Sequence, residues 1–204
     1  QDLPNDAKSC MEVISRNAKF MQDLLSDLSI LAVDPQLGLQ LQPQEVNLLQ
    51  VCREWALTGQ VLAKRKKISF ETDFDQSLLT TGEMDQNRIR QVVENLFSNA
   101  VKFSAPGSQI TIGTEIAVPP RDAALDPDRR YVAFHVRDTG VGISARQMTN
   151  IFEPFFQGQT GRTRTWDGSG LGLTISRRLA RLMNGDITVT SEVGRGSSFS
   201  LWLP

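Results

Sequence analysis

The order of helical and strand patterns after residue 45 constrains the fold more than any other feature of this sequence. Long helices are predicted at 45–66, 85–103 and 171–183, a short one at 144–150, and strands at 68–74, 109–116, 131–138, 187–191 and 198–203. Helices and strands do not alternate strictly, as they would around a parallel sheet. The pattern therefore predicts an α+β fold, a two-layer α/β sandwich with helices on one face of a mixed sheet. The proline-rich stretch at 118–130 is interpreted as an exposed hairpin excursion.

The segment at about 6–33 predicts one further helix, of the kind found in bundles. Apolar residues recur there at spacings of 4, 3, 4 and 3, at Ile14, Ala18, Met21, Leu25 and Leu28. This is the a/d pattern of a helix in a bundle or coiled coil. Periodicity leaves open whether the helix packs on its own domain or forms half of an oligomeric bundle. Asp34 and Pro35 end the helix, and the run to residue 44 is interpreted as a linker.

The composition excludes several classes of function. Among the 204 residues, 22 are Lys or Arg and 23 are Asp or Glu, so a net charge of −1 gives no overall field that would attract nucleic acid or anionic lipid. Two cysteines, Cys10 and Cys52, and the single His135 are too few for a zinc site of Cys and His ligands. No stretch reaches the roughly 18 uncharged apolar residues of a membrane helix. Because the sequence begins Gln-Asp-Leu-Pro, without Met, we expect a fragment of a longer chain.

The predicted helix at 85–103 carries a polar stripe beside its apolar one. Asn95 and Asn99 are four residues apart and share a face, and Lys102 extends the same stripe. Amide oxygens next to a cationic side chain suit a hydrated magnesium ion with phosphates. A solvated helix face is the alternative explanation, and the stripe alone does not decide between them.

Two glycine motifs lie at boundaries between predicted elements. The motif from Asp138 to Ile143, with glycines at 140 and 142, directly follows an apolar strand. Its glycines allow close backbone approach, and its carboxylate can accept a hydrogen bond from an amino group, although a simple turn is the alternative. The motif from Gly168 to Leu173 leads into a helix, whose first N–H groups can bind an anion. It lacks the lysine of the phosphate loop and the βαβ context of the dinucleotide fingerprint.

An aromatic anchor lies between the two glycine motifs and is followed by a segment of the length of a lid. Phe152, Phe155 and Phe156 supply the apolar side chains of this anchor. The segment at 157–167 is polar, contains glycines and carries Arg162 and Arg164, as expected of a lid that closes over a site. A plain surface loop with a hydrophobic foot is the alternative.

These motifs occur together in one order, and in that order the sequence resembles the catalytic and ATP-binding domain of sensor histidine kinases. The resemblance covers about 45–204. It is carried by an asparagine box at 95–104, glycine boxes at 138–143 and 168–173, a phenylalanine box at 152–156 and a closing segment at 194–204. It implies the Bergerat ATP-binding fold of the gyrase, Hsp90, histidine kinase and MutL superfamily, with ATP and Mg²⁺ as cofactors.

The resemblance also implies roles for individual residues around the adenine base. Asp138 would accept a hydrogen bond from the adenine amino group, and Gly140 and Gly142 would shape the base pocket. Further contacts with the nucleotide are expected from Ile143, Phe155, Leu171 and Ser197.

A second group of contacts is implied around the phosphates. Asn99 would ligate Mg²⁺, Lys102 would contact phosphate and Asn95 would face the phosphates, so Asn95 and Lys102 are the expected catalytic residues. Capping of the triphosphate and the hinge of the lid are expected from Gly168, Gly170 and Gly172. Contacts with the γ-phosphate are expected from Arg162 and Arg164. Related ATPases of this fold have a Glu that activates water at the position of Asn95. An amide cannot take a proton from water, which fits a kinase that retains ATP.

The first helix resembles the second helix of the dimerisation and phosphoacceptor hairpin of these kinases. We therefore expect that helix at 1–33, a linker at 34–44 and the catalytic and ATP-binding domain at 45–204. The acceptor histidine belongs on the preceding helix, and its motif is absent from this sequence. His135 lies in the strand before Asp138 and is expected to be a sheet residue.

The function expected from the resemblance is to bind Mg-ATP and supply the γ-phosphate for histidine autophosphorylation in a two-component sensor kinase. The expected partners are the phosphoacceptor helix of the same protein, a response regulator and, in the full-length protein, a second copy, but no nucleic acid. We expect a cytoplasmic location, with membrane anchoring of the full-length protein left open, and no self-phosphorylation by this chain. The alternatives are a degenerate nucleotide-binding regulatory module and an ATPase of the same superfamily.

Overall fold

The chain folds into five helices and seven strands within the residues that the computed structural model describes, 5–32, 40–76, 81–158 and 169–204. The helices are α1 (Asn5–Ala32), α2 (Leu48–Arg65), α3 (Gln86–Phe103), α4 (Ala145–Met148) and α5 (Gly172–Leu182). The strands are β1 (Gln44–Asn47), β2 (Ser69–Phe74), β3 (Thr81–Met84), β4 (Gln109–Ala117), β5 (Tyr131–Asp138), β6 (Asp186–Glu192) and β7 (Gly196–Leu203). None of the helices in the described ranges is both long and apolar enough to cross a membrane.

Five strands form one mixed sheet in the order β2-β4-β5-β7-β6. β2 runs parallel to β4, and the other three neighbouring pairs are antiparallel. β1 and β3 pair in a separate two-stranded antiparallel sheet. The structure confirms the predicted two-layer fold, because α2, α3 and α5 pack on one face of the mixed sheet and enclose the core with it.

Alternation of side chains separates an apolar face of the sheet, under the helices, from a largely polar opposite face. On the helix face, two apolar rows cross β5, β7 and β6, made of Phe134, Leu201 and Ile187 and of Val136, Phe199 and Val189. Asp138 follows Val136 by two residues, at the end of β5. The pleat of the strand therefore places a carboxylate at the edge of the core, on the side of the helices.

Side chains fix both ends of α3, the helix that carries the asparagine box. At its start, Asp85 Oδ1 accepts hydrogen bonds from the N–H groups of Asn87 and Arg88, both at 3.1 Å. At its end, Lys66 Nζ donates to the carbonyl oxygens of Val101 (2.6 Å) and Lys102 (3.0 Å). Groups at a helix end that lack partners within the helix are satisfied in this way, so α3 is a rigid support for its polar face.

The region around β1 differs from the predicted pattern. The predicted helix at 45–66 begins only at Leu48, because the residues before it pair with β3. Asn47 caps the helix by accepting a hydrogen bond from the N–H of Gln50 (3.0 Å). β3 has no counterpart among the predicted strands, since four residues are too few to show a clear alternation.

The connection between β4 and β5 covers part of the polar face of the sheet. Tyr131, Ala133 and Trp202 form a small apolar cluster there, and Leu125 packs against it. The predicted hairpin excursion at 118–130 does link two antiparallel neighbours. Most of its residues are exposed, as expected, but Pro119 and Ala123 are buried and the apolar cluster on this face draws the half-buried Leu125 onto the sheet.

The end of α1 packs on α5. Ile30 is buried, Leu24 and Leu31 pack on the core, and Arg178 Nη1 donates to the carbonyl of Leu31 (2.9 Å). The a/d positions farther from this end are exposed in the described part of the chain, at Ile14, Met21, Leu25 and Leu28. The helix therefore presents most of its apolar seam to the surroundings.

A buried carboxylate joins α5, β6 and the β4–β5 connection. Asp186 has no exposed surface. Its carboxylate accepts hydrogen bonds from Arg177 Nε (2.9 Å) and from the backbone N–H groups of Ala124 (3.1 Å) and Ile187 (2.9 Å). Burial by itself would raise the pKa of Asp186, but these hydrogen bonds and the charge of Arg177 outweigh it, and the pKa is lowered. The charged carboxylate therefore stabilises the fold above the unfolded-state pKa, and this stabilisation is lost as the pH falls toward the folded-state pKa.

The substitution Asp186→Asn should lower the free energy of unfolding by about 2–3 kcal/mol at pH 7, because a buried charged group loses its hydrogen-bonded partner. The difference between parent and variant should narrow as the pH falls from about 5 to about 3, since the parent carboxyl then takes up a proton. Urea unfolding across this pH range measures both effects. Glu192→Gln, which breaks an exposed pair with Arg195, is the control and should cost less than about 1 kcal/mol. A cost of Asp186→Asn that did not change with pH would contradict this role.

Candidate functional site

The motifs predicted from the sequence meet at one end of the sheet, where β5 and α3 end and α5 begins. Four glycines of these motifs are in close contact with other segments, and a Cβ on any of the four would collide with its neighbour. The pairs in contact are Gly140 with Phe103, Gly142 with Glu192, Gly170 with Phe155, and Gly172 with Asn95. The asparagine box, the described parts of both glycine boxes and the phenylalanine box therefore form one site.

Asp138 lies on the inner side of this site and is only 9% exposed. Its Oδ1 accepts a hydrogen bond from the N–H of Gly140 (2.8 Å), and the backbone N–H of Ser197 on β7 also donates to its carboxylate. Burial raises the pKa of Asp138, and these two hydrogen bonds oppose the increase. A carboxylate with two backbone donors still has lone pairs for a further donor, so Asp138 can bind an amino group of a ligand.

The turn after Asp138 requires glycine at position 142. Gly142 has φ +69°, in the left-handed region, and lies against the backbone of Glu192. Two hydrogen bonds hold the turn in place. The N–H of Val141 donates to the carbonyl of Phe103 (3.3 Å), and the N–H of Ile143 donates to Ser191 Oγ (2.8 Å). The turn is thus attached to the end of α3 on one side and to β6 on the other.

Asn95 lies between α3 and the first turn of α5. Its Nδ2 donates to Ser176 Oγ (2.8 Å), and its Oδ1 lies where a Cβ on Gly172 would stand. Ser176 is buried and Asn95 is half-buried, so this hydrogen bond is partly shielded from water. The contact holds the beginning of α5 against the asparagine box.

Asn99 and Lys102 continue the same side of α3 toward its end, and both are half-buried. The side chain of Asn99 makes no hydrogen bond to any residue that the structure describes. Lys102 Nζ lies 5.3 Å from the centroid of the Phe103 ring. At the third residue of α5, Thr174 Oγ1 is buried without a hydrogen-bond partner in the described ranges. An amide oxygen, an ammonium group and a helix N-terminus with a spare hydroxyl together suit a metal-bound phosphate chain.

The phenylalanine box supports the beginning of α5. The guanidinium carbon Cζ of Arg177 lies over the ring of Phe152, 4.5 Å from the ring centroid. Phe156 packs on the core. Phe155 is 63% exposed and has φ +62°, a conformation that costs free energy for a residue with a Cβ. Its ring is free of the core and available to a ligand.

The remaining predicted contacts have different surroundings. Ile143 is half-buried on the turn, and Ser197 lies directly opposite Asp138 on the neighbouring strand. The side chain of Leu171 is fully buried in the core, so a contact with a ligand would come from its backbone. Arg162, Arg164 and Gly168, with most of the predicted lid, lie outside the described residues.

Two residues of the site, Ser176 and Ser191, were not predicted from the sequence. The sequence does contain a sign of each one, because each is a polar residue at a position where the periodic pattern of its strand or helix predicts an apolar residue. Ser191 follows the inward-facing Ile187 and Val189 at the same spacing of two. Ser176 is buried on the inner side of α5.

Residues 84–204 match the model of the family described as histidine kinase-, DNA gyrase B-, and HSP90-like ATPase. This segment is more than half of the chain. The chain belongs to this family. The predicted resemblance to the ATP-binding domain of sensor histidine kinases and the predicted fold class are both confirmed.

Individual relatives of this histidine kinase-type ATPase domain agree with the family assignment. Sensor histidine kinase RcsC of Salmonella typhimurium is 31% identical over 204 residues, 100% of this chain and 20% of RcsC. The crystal structure of full-length ShkA in complex with AMPPNP has a TM-score of 0.77 at 26% identity and covers 100% of this chain and 40% of that one. The catalytic domain of histidine kinase ThkA has a TM-score of 0.64 at 26% identity and covers 80% of this chain and 96% of that one. The chain thus spans about a fifth of the length of RcsC and less than a quarter of the other curated relatives it matches.

Gly142→Ala should destabilise the domain more than Gly194→Ala does. Both residues have positive φ, at +69° and +80°. Placing an alanine in this left-handed backbone conformation should lower the free energy of unfolding by about 1–2 kcal/mol in each variant. Only at position 142 does the new Cβ also collide with the backbone of Glu192, whereas it meets nothing within 4 Å at position 194. We expect Gly142→Ala to cost about 2 kcal/mol more in urea unfolding. Equal costs would show that the turn does not depend on this close approach.

Proposed function

We propose that this domain binds Mg-ATP between α3 and α5 and, within a longer two-component sensor kinase, supplies the γ-phosphate for histidine autophosphorylation. The observation that carries the proposal is the convergence of the four predicted motifs around Asp138. The similarity to RcsC supports the kinase context, and the similarity to ShkA, whose structure contains AMPPNP, supports a nucleotide as ligand.

The adenine base would lie against Asp138. A charged carboxylate accepts hydrogen bonds and donates none, so it suits the exocyclic amino group of adenine. Gly140 and Gly142 would let the base approach the backbone of the turn, since neither carries a side chain. The exposed ring of Phe155 would provide an apolar surface, and Ser197 would add a polar contact beside Asp138.

The phosphates would lie between the end of α3 and the first turn of α5. Asn99 would hold Mg²⁺ through its amide oxygen, because this hard cation prefers oxygen ligands. Bound there, the ion would neutralise charge on the phosphates. Lys102 would add a second positive charge. The Thr174 hydroxyl and the first N–H groups of α5 would donate to phosphate oxygens. The same proposal assigns capping of the triphosphate to Gly168, Gly170 and Gly172. It assigns contact with the γ-phosphate to two lid residues, Arg162 and Arg164.

The amide of Asn95 favours phosphate transfer over hydrolysis. An amide oxygen is a very weak base, and Asn95 Nδ2 is engaged by Ser176, so this side chain cannot activate water for attack on the γ-phosphate. Fast release of phosphate from ATP would instead favour an ATPase of the same superfamily. A chain that binds no nucleotide would favour a degenerate regulatory module.

The phosphate acceptor would be a histidine outside this sequence. His135 is 7% exposed and points to the polar face of the sheet, away from Asp138. Both of its ring nitrogens have partners, Ser200 Oγ at 2.7 Å and Glu115 Oε1 at 2.8 Å. Burial lowers the pKa of His135, and the neighbouring Glu115 opposes the decrease. A buried imidazole with both nitrogens engaged is a poor nucleophile, so we propose that the chain does not phosphorylate itself.

The first helix fits the second helix of a dimerisation hairpin. The exposed apolar seam of α1 would be covered by the preceding helix and by a second copy, as in a homodimer of the full-length protein. In this organisation 1–33 is the hairpin helix, 34–44 the linker and 45–204 the catalytic domain. A response regulator would receive the phosphate in turn, and we propose a cytoplasmic location for this part of the protein.

Asp138→Asn should weaken the binding of Mg-ATP about a hundredfold or abolish it, because the charged acceptor for the adenine amino group is lost. Titration calorimetry measures the affinity, and urea unfolding checks that the variant is folded. Asp122→Asn changes an exposed aspartate in the β4–β5 connection and should bind like the parent. An unchanged affinity of a folded Asp138→Asn variant would contradict the assigned site.

A further inference from the structure

A polar row crosses three strands at the end of the sheet where the candidate site lies. Asp138 on β5 is paired in register with Ser197 on β7, and Ser197 is paired with Ser191 on β6. The two rows before it on the same face are wholly apolar, as described above. Side chains of residues paired in register stand next to each other on one face. The two serines are thus neighbours of the carboxylate at the point where the apolar core ends.

The hydroxyl of Ser191 has three hydrogen-bond partners, which is the most that it can satisfy. Its Oγ lies 2.8 Å from the carbonyl oxygen of Gly196, 2.8 Å from the N–H of Ile143 and 2.9 Å from Ser197 Oγ. A hydroxyl has one proton to donate and two lone pairs to accept with. The carbonyl can only accept, so it takes the proton of Ser191. The N–H of Ile143 can only donate, so it takes one lone pair.

The direction of the hydrogen bond between the two serines follows from this inventory. Since the proton of Ser191 is already given to Gly196, the proton between the two oxygens must come from Ser197. The Ser197 hydroxyl is therefore a donor toward Ser191 and presents only lone pairs elsewhere. Asp138, its neighbour on the other side, is also an acceptor in its charged form. Two acceptors consequently lie side by side where the nucleobase is expected.

We propose that Ser191 is a positioning residue that holds the Ser197 hydroxyl as an acceptor and thereby makes the site select a 6-amino purine over a 6-oxo purine. The inference rests on the proposed nucleotide site and deepens it. A 6-amino group donates to both acceptors. A 6-oxo group is itself an acceptor and would face two others, which leaves its oxygen without a donor. Without Ser191, the Ser197 hydroxyl is free to rotate and donate to a 6-oxo group.

The experiment compares ATP with inosine triphosphate, which carries an oxygen in place of the 6-amino group. Titration calorimetry in the presence of Mg²⁺ gives the dissociation constant of each, and their ratio is the selectivity. In Ser191→Ala the selectivity should fall about fivefold or more, the effect of one hydrogen bond gained by the wrong base. Ser191→Thr keeps a hydroxyl at this position and should therefore keep the selectivity of the parent. Thr190→Ala, an exposed neighbour on the opposite face, should leave it unchanged.

A second variant separates selectivity from a merely structural role of Ser191. If Ser191 acts through Ser197, the change Ser191→Ala should not alter the selectivity further in a Ser197→Ala background. Equal weakening of both nucleotides by Ser191→Ala, at constant selectivity, would overturn the inference and reduce Ser191 to a support for the turn at Ile143. If Ser191→Ala does not fold, an unchanged selectivity of Ser197→Ala overturns the inference in the same way. A parent chain that binds neither nucleotide would instead refute the proposed function itself.

Discussion

Close contacts at four glycines determine whether the candidate site exists. The backbone of Phe103, Glu192 and Phe155 occupies the space that a Cβ would need at Gly140, Gly142 and Gly170, and the side-chain amide of Asn95 occupies it at Gly172. These contacts bring the end of α3, the turn after β5, the phenylalanine box and the start of α5 within reach of one ligand. Gly142 has the further requirement of a left-handed backbone. Any side chain at these positions would separate segments that must converge, because interiors of proteins have little room to yield.

The mixed sheet supplies the second requirement, a buried acceptor next to this convergence. β5 lies in the middle of the sheet, so its apolar residues are enclosed and its last residue, Asp138, stands at the margin of the core. Burial raises the pKa of this carboxyl, and the N–H groups of Gly140 and Ser197 offset part of the effect. Burying a polar group costs free energy unless its hydrogen bonds are made inside the protein. The two backbone N–H groups and a ligand amino group would together supply to Asp138 the hydrogen bonds that water supplies to an exposed carboxylate.

Much of the architecture could be predicted because it depends on local patterns. The alternation in β5 and the stop of α5 at Asn184 and Gly185 are visible in the sequence; Asn184 adopts φ +58°, and the N–H of Gly185 donates to the carbonyl of Ala180 (2.8 Å). β1 and β3 could not be predicted, since their four-residue strands depend on pairing across distant segments.

The motif residues of the site were predictable by type, but the row from Asp138 through Ser197 to Ser191 was not. Its members are brought together by strand register, which depends on how three strands align and not on spacing along the chain. The same holds for Ser176, whose hydrogen bond to Asn95 crosses between two helices.

The most direct test of the proposed site is a crystal structure of the chain with Mg²⁺ and AMPPNP. We expect the adenine amino group to lie about 3 Å from a carboxylate oxygen of Asp138. We also expect the metal to lie beside Asn99 and the phosphates to face the first turn of α5. A nucleotide bound elsewhere on the domain, or one whose base does not contact Asp138, would contradict the proposed site.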